Sequence, residues 1–310
     1  MKKIFAVCVS ICVLAMSGVS IAQIKPILEG PRQPNVKRRG PDISTQRSKG
    51  GNVEVENTLL FQQAKKANIE RYNFAVEHNA SFYSTPDGKS FYIVWMPETA
   101  VKGGTVPMVV SLHGHGSYAF DELFLWQKHL AKRGYGIIAL QWWFGAGEKP
   151  DDYYKPNELY KNIDQILHKM NAKSETAMLH GFSRGSANSY GVTAFDRASK
   201  NNFFLVTLAN AGKPGSDFPV NVEIEKGRFG ANPLAGTHWI TYAGANDPDP
   251  GRDGIEGMRK AREWIKRFGG TVDLSIEDAK GDHGGFHRNP ENISAALDVF
   301  EKLLSGSEKK

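Results

Sequence analysis

Residues 176–189 read Thr-Ala-Met-Leu-His-Gly-Phe-Ser-Arg-Gly-Ser-Ala-Asn-Ser. Thr176 to His180 has the apolar character of a short buried strand, and Gly185-Ser186-Ala187-Asn188-Ser189 opens a helix. Between them, Gly181-Phe182-Ser183-Arg184-Gly185 puts a serine where the chain must turn from strand to helix. A serine on that strained turn is a nucleophile elbow, and it needs side-chain-free neighbours because two backbones approach there. The pattern G-x-S-x-G is common by itself. The same five residues set between a strand and a helix are more specific. The competing reading is a tight turn of a parallel sheet with an incidental serine.

Working outward, strands and helices alternate. Residues 107–112 (PMVVSL) and 136–143 (GIIALQWW) are continuous apolar runs of the kind buried parallel strands show. Residues 203–209, 238–243 and 271–276 are further strands. Residues 81–84 and 90–95, separated by Thr85-Pro86-Asp87-Gly88, predict a hairpin. Helices are predicted over 59–76 and 121–132, around Leu159, Ile163, Ile166, Leu167 and Met170, over 257–268, and from Asn289-Pro290 to about Leu304. This alternation implies an α/β fold, a mainly parallel central sheet with helices on both faces. Such sheets bind ligands beyond the carboxyl ends of their strands.

The 310 residues, 40% hydrophobic and 23% charged, suit one large globular domain. Lys2 and Lys3, the apolar run 4–19 and the small residues Ser20-Ile21-Ala22 predict a signal peptide over 1–22, cleaved near Ala22, with an uncleaved signal anchor as the competing reading. Both cysteines, Cys8 and Cys12, fall inside it, so the exported chain has neither disulfide nor thiolate chemistry. Without Lys2 and Lys3 the balance is 37 basic to 33 acidic side chains, about +4. The excess gathers in residues 23–52, a Pro-, Gly- and Arg-rich stretch read as a disordered basic leader, acting as a solvated linker or touching anionic surfaces. Residues 53–310 are left as the catalytic domain. No basic stripe with interleaved aromatics recurs there, which argues against nucleic-acid binding, and no stable membrane insertion is expected after signal cleavage. The expected location is secreted or periplasmic.

A serine hydroxyl needs a histidine to take its proton, and that histidine needs a carboxylate to fix its tautomer. Two downstream strand-end loops supply them in order: Gly244-Ala245-Asn246-Asp247-Pro248 and Gly281-Asp282-His283-Gly284-Gly285-Phe286. Asp249 and Asp253 compete with Asp247, and His287 competes with His283. An oxyanion needs two backbone donors. Arg184, after the serine, supplies one; His115, in Leu112-His113-Gly114-His115-Gly116-Ser117, is expected to supply the other. His113 and His115 as a metal pair lack an acidic third ligand, and no metal is expected.

Together, LHGHGS, GFSRGSA, GANDP and GDHGGF resemble the α/β-hydrolase superfamily over residues 81–304. Within it the chain resembles secreted esterases of the feruloyl esterase, acetyl xylan esterase and polyhydroxybutyrate depolymerase type. The resemblance implies hydrolysis of a small-molecule or polymer ester through an acyl-enzyme, without a cofactor. A serine peptidase of the same fold, and a binding protein that lost catalysis, are the alternatives. Substrate preference has to come from loops. Trp142 and Trp143, followed by Tyr153, Tyr154 and Tyr160, are either a substrate platform or alternate core and surface residues of a strand. Residues 146–156 are a short candidate lid. The Arg184 guanidinium is free to bind a substrate carboxylate or to pair with an acidic neighbour.

Overall fold

A computed structural model describes residues 53–98 and 106–307. The predicted signal peptide, the predicted basic leader and both cysteines lie outside these residues. Eight strands form one sheet: β1 Ser81–Ser84, β2 Phe91–Trp95, β3 Met108–Leu112, β4 Gly136–Leu140, β5 Ala177–Phe182, β6 Phe204–Asn210, β7 His238–Gly244 and β8 Thr271–Asp278. Their order is β1-β2-β4-β3-β5-β6-β7-β8. The predicted hairpin pairs β1 with β2, and β2 runs antiparallel to β4; every later pairing is parallel. Thr85 N–H donating to Ser90 O at 2.8 Å closes the hairpin turn.

Three helices, α1 Val53–Glu56, α2 Leu59–Ala67 and α3 Ile69–Glu77, precede the sheet; from β3 onward helices follow the strands, as the alternation predicts: α4 Ala119–Ala131, α5 Pro156–Lys169, α6 Arg184–Ser199, α7 Pro219–Glu225, α8 Ile255–Arg267, α9 Gly285–Arg288 and α10 Pro290–Ser307. α4 and α10 share one face, where the turn after α4 meets α10: Tyr135 packs edge to face on Phe300 and Arg133 bonds Asp298. α6, α7 and α8 meet on the other through Tyr190, Ile224, Met258 and Ile265, all fully buried with Trp239 of β7. Parallel strands covered on both faces explain why β3, β4 and β6 are buried at every position, with no polar alternation.

Three expectations are corrected. Residues 59–76 form two helices, because Asn68 breaks the first and its side chain accepts from Arg71 N to start the second. The strand predicted over 136–143 stops at Leu140, and beyond it Trp143 makes only an isolated bridge to Tyr153. The short helices α7 and α9 were hidden in stretches read as loop.

The chain visits β4 on one side of β3 and then crosses to β5 on the other. The carboxyl ends of β3 and β5 therefore flank the point where strand order reverses, the place where α/β sheets open a crevice. The residues that follow those two strands are the glycine–histidine loop and Ser183.

Candidate active site

Ser183 sits between β5 and α6 at φ 54° and ψ −116°, a conformation L-residues avoid, at a cost of about 1–3 kcal/mol. Contacts on all sides hold it there. A Cβ at Gly181 would lie 2.3 Å from Gly185 O, and one at Gly185 would lie 2.3 Å from Leu112 O. The two glycines are thus required by close backbone approach. Ser183 N–H donates to Asn210 O of β6 at 2.8 Å, tying the turn to the neighbouring strand.

The loops after β7 and β8 deliver the other two groups. They are laced together: Asn246 N–H donates to Gly281 O at 2.9 Å, and Ala245 N–H to Asp278 O at 2.9 Å. A Cβ at Gly244 would strike Gly281 O at 2.5 Å, so these backbones touch. The result brings Ser183, His283 and Asp247 into one chain of hydrogen bonds. His283 Nδ1 lies 2.8 Å from Asp247 Oδ2, and His283 Nε2 lies 2.8 Å from Ser183 Oγ. Asp247 is buried, and its other oxygen accepts from Asp249 N–H at 2.9 Å. An acceptor-only carboxylate calls for the tautomer with hydrogen on Nδ1, which leaves Nε2 to accept from the serine hydroxyl.

The competitors stand elsewhere. Asp249 is half-exposed, and its carboxylate accepts from the Arg252 amide. Asp253 is buried with an oxygen 4.0 Å from His283 Nδ1, but it is held by the Arg252 guanidinium at 2.9 and 2.6 Å. Burial pushes the Asp253 carboxyl up from its ordinary value, against the pull of Arg252. His287 lies in α9 against Trp126 and Phe286, with Nε2 closed to solvent and unpartnered. Burial, aided by nearby His180, pushes His287 down to about 3.

The loop after β3 lies against the elbow, since a Cβ at Gly114 would meet Ser183 Cβ at 3.3 Å. Arg184 is the first residue of α6, so its N–H has no acceptor within the helix. Among the described residues His115 N–H makes no backbone hydrogen bond. The two histidines of this loop part company. His113 is fully buried, its Nδ1 donating to Gly114 O at 2.8 Å, and burial lowers its pKa. His115 is exposed, bonded through Nδ1 to the Tyr153 hydroxyl and 3.4 Å from Glu148.

The tryptophan platform is corrected at Trp142. Its side chain is fully buried and its indole N–H donates to His113 O at 2.8 Å, so it braces the glycine–histidine loop from beneath. Trp143 is nearly buried; its N–H donates to Gly147 O at 3.0 Å and its ring packs by Tyr118 and Tyr153. Tyr154 and Tyr160 are also structural, bonded to Asp87 and to Ser199. Tyr153 alone of the three tyrosines turns toward Arg184, whose guanidinium carbon is 4.4 Å from the ring centroid. The residues considered as a lid run through a short 3-10 turn, Pro150–Asp152, beside this tyrosine.

One feature had no separable signal in the sequence. Behind the elbow, Ser111 of β3 bonds Glu122 of α4 at 2.5 Å and His180 of β5 at 2.8 Å, all three closed to solvent. Burial alone would raise the Glu122 carboxyl, but hydrogen bonding and charge from His180 hold it near 2. This polar cluster underpins β5, the strand that leads into Ser183.

No protein-family model matches the chain, and no curated protein matches it either. Solved structures do. A hyperthermophilic esterase from the archaeon Pyrobaculum calidifontis is 14% identical, with a TM-score of 0.56 over 79% of this chain and 92% of that one. Brefeldin A esterase, a bacterial homologue of human hormone-sensitive lipase, is 13% identical with a TM-score of 0.51 over 83% and 88%. A dienelactone hydrolase homologue from Klebsiella pneumoniae is 15% identical, with a TM-score of 0.51 over 73% and 96%. With the sheet order and the helices on both faces, these likenesses make the fold that of the α/β-hydrolases.

Proposed function

We propose that this chain is a serine carboxylic ester hydrolase. The observation that carries the reading is the unbroken relay of Ser183, His283 and Asp247 at 2.8 and 2.8 Å on a strained elbow. Esterases among the structures of similar fold support the choice of ester over other acyl bonds.

In this reading Ser183 Oγ attacks the ester carbonyl while His283 Nε2 takes its proton. Asp247 holds the imidazole tautomer and stabilises the imidazolium. The oxyanion rests on the main-chain amides of Arg184 and His115, each worth about 10²–10³ in kcat if it matches other oxyanion donors. His283 returns the proton to the departing alcohol, and water then releases the acid from Ser183. No cofactor takes part. We further propose export, with residues 1–22 cleaved and residues 23–52 as a basic leader ahead of a catalytic domain from residue 53. Among the described residues no helix is long and apolar enough to cross a membrane.

A fluorophosphonate probe tests the chemistry. Wild-type protein is expected to be labelled at Ser183 and to hydrolyse 4-nitrophenyl acetate. Ser183→Ala is expected to lose both while keeping its unfolding temperature. Equal turnover by Ser183→Ala would end the proposal, and N-terminal sequencing of exported protein checks cleavage after Ala22.

A further inference from the structure

We infer that Arg184 is built to hold an anionic group of the substrate, so that the site favours esters carrying a carboxylate on an apolar or aromatic body. This rests on the ester-hydrolase reading and narrows its substrate class.

The Arg184 side chain faces a cavity of about 440 Å³ walled by Tyr153, Phe195, Phe218 and Val220. The volume suits a small ring or chain rather than a single atom group. Its guanidinium carbon lies 4.4 Å from the Tyr153 ring centroid and 5.6 Å from that of Phe218. Two aromatic rings beside the cation orient its plane and leave the N–H edges to bond. The Tyr153 hydroxyl also bonds His115 of the glycine–histidine loop, so this wall is continuous with the place where the carbonyl would sit.

What the arginine lacks is a carboxylate partner. Among the described residues no carboxylate lies within ion-pair distance of it, and its hydrogen bond to Glu148 O is long at 3.5 Å. Its Nε is closed to solvent and has no acceptor. The other cations of the wall are engaged: Arg228 pairs with Glu223 at 2.6 Å and Lys155 with Asp151 at 3.4 Å. Asp217, also on the wall, is exposed and stands beyond ion-pair reach of Arg184. With Nε closed off, the outer pair of Nη groups is the edge left to a ligand, and a carboxylate fits that fork through two parallel hydrogen bonds. Arg184 also begins a 16-residue helix, whose positive end adds to the same attraction.

Two matched ester pairs test this and locate the charge. In the first, 4-nitrophenyl hydrogen glutarate is compared with 4-nitrophenyl methyl glutarate, placing the charge on the acyl side. In the second, 4-acetoxybenzoate is compared with methyl 4-acetoxybenzoate, placing it on the alcohol side. Each kcat/KM is normalised to the hydroxide-catalysed rate of the same ester. The anionic member of one pair is expected to be favoured by about tenfold or more, the size of one charge-assisted contact. Arg184→Met is expected to bring that ratio near unity and Arg184→Lys to keep part of it. The ratio is unaffected by any loss common to both esters. No preference in either pair, or a preference that Arg184→Met leaves intact, would overturn the inference. Calorimetry with Ser183→Ala gives a readout without turnover: the anionic ester binds more tightly than its neutral partner, and the difference shrinks with salt. If the wild type neither hydrolyses the neutral esters nor takes the fluorophosphonate, the hydrolase reading fails alone, and the anion site stands or falls on the calorimetry.

Discussion

Two buried aspartates approach His283 Nδ1, Asp247 at 2.8 Å and Asp253 at 4.0 Å, and they differ in what else holds them. Asp247 has no cationic partner closer than the imidazole, so its charge serves the histidine. Asp253 is neutralised by Arg252 at 2.6 Å. Asp247→Asn is therefore expected to reverse the donor on that side and stabilise the wrong tautomer, lowering kcat by about 10⁴-fold. Asp253→Asn is expected to lower it by less than about tenfold, because it removes only a more distant charge. Turnover of 4-nitrophenyl acetate by each variant, with unfolding curves for both, checks the contrast; equal losses would mean the two carboxylates act as one unit. At this scale the residues of the relay were legible, since Ser183, Asp247 and His283 each follow a predicted strand in the required order. Trp142 was not. Its period-two reading assumed that the strand continued past Leu140, whereas the chain leaves the sheet there and folds the indole under the His113 carbonyl.

At the scale of elements, the elbow depends on α6 being allowed to touch β3. A Cβ at Gly185 would sit 2.3 Å from Leu112 O and 2.8 Å from His113 O. Those are backbone atoms at the sheet centre and cannot swing aside. Gly185→Ala is expected to push α6 outward and destabilise the fold by about 1–3 kcal/mol or more. It should also cut turnover by moving the Arg184 amide. Gly251→Ala is the control, since open space surrounds that position and its effect is expected within about 0.5 kcal/mol. Urea unfolding of both variants reads the difference. A Gly185→Ala protein as stable as the Gly251→Ala protein would mean that the helix–strand contact is soft. The buried strands were legible because their runs are mainly apolar, broken only by isolated polar residues such as Ser111 in β3 and His180 in β5, and α6 because it follows the elbow. α7 and α9 were not, because helices of 7 and 4 residues carry too few turns for a periodic signal.

Across the whole molecule, the cluster of Ser111, Glu122, His180 and His287 brings together β3, α4, β5 and α9 behind Ser183. Its members are scattered over the chain from Ser111 to His287, so their meeting is a product of the tertiary fold and could not be read from spacing. The cluster also sets how the fold responds to acid. His287 is held down to about 3 by burial, from an ordinary value of 6.5. Between those values the unfolded chain binds a proton that the folded chain refuses, so stability falls as pH drops below about 6.5. Glu122 is held near 2 by His180 against the opposing effect of burial, from an ordinary value of 4.5. Its contribution is present above about 4.5 and is lost as pH falls toward 2. Both effects have the same sign. The unfolding temperature is expected to be higher at pH 7 than at pH 5, where His287 acts together with the buried His113, and to fall more steeply below pH 4.5, where Glu122 joins them. His287→Phe removes the first of these groups and leaves an aromatic ring against Trp126 and Phe286. In that variant the drop between pH 7 and pH 5 should shrink, whatever the change in stability at pH 7, while the steep fall below pH 4.5 persists. An unchanged slope between pH 7 and pH 5 would place the acid sensitivity elsewhere and leave His287 as packing alone.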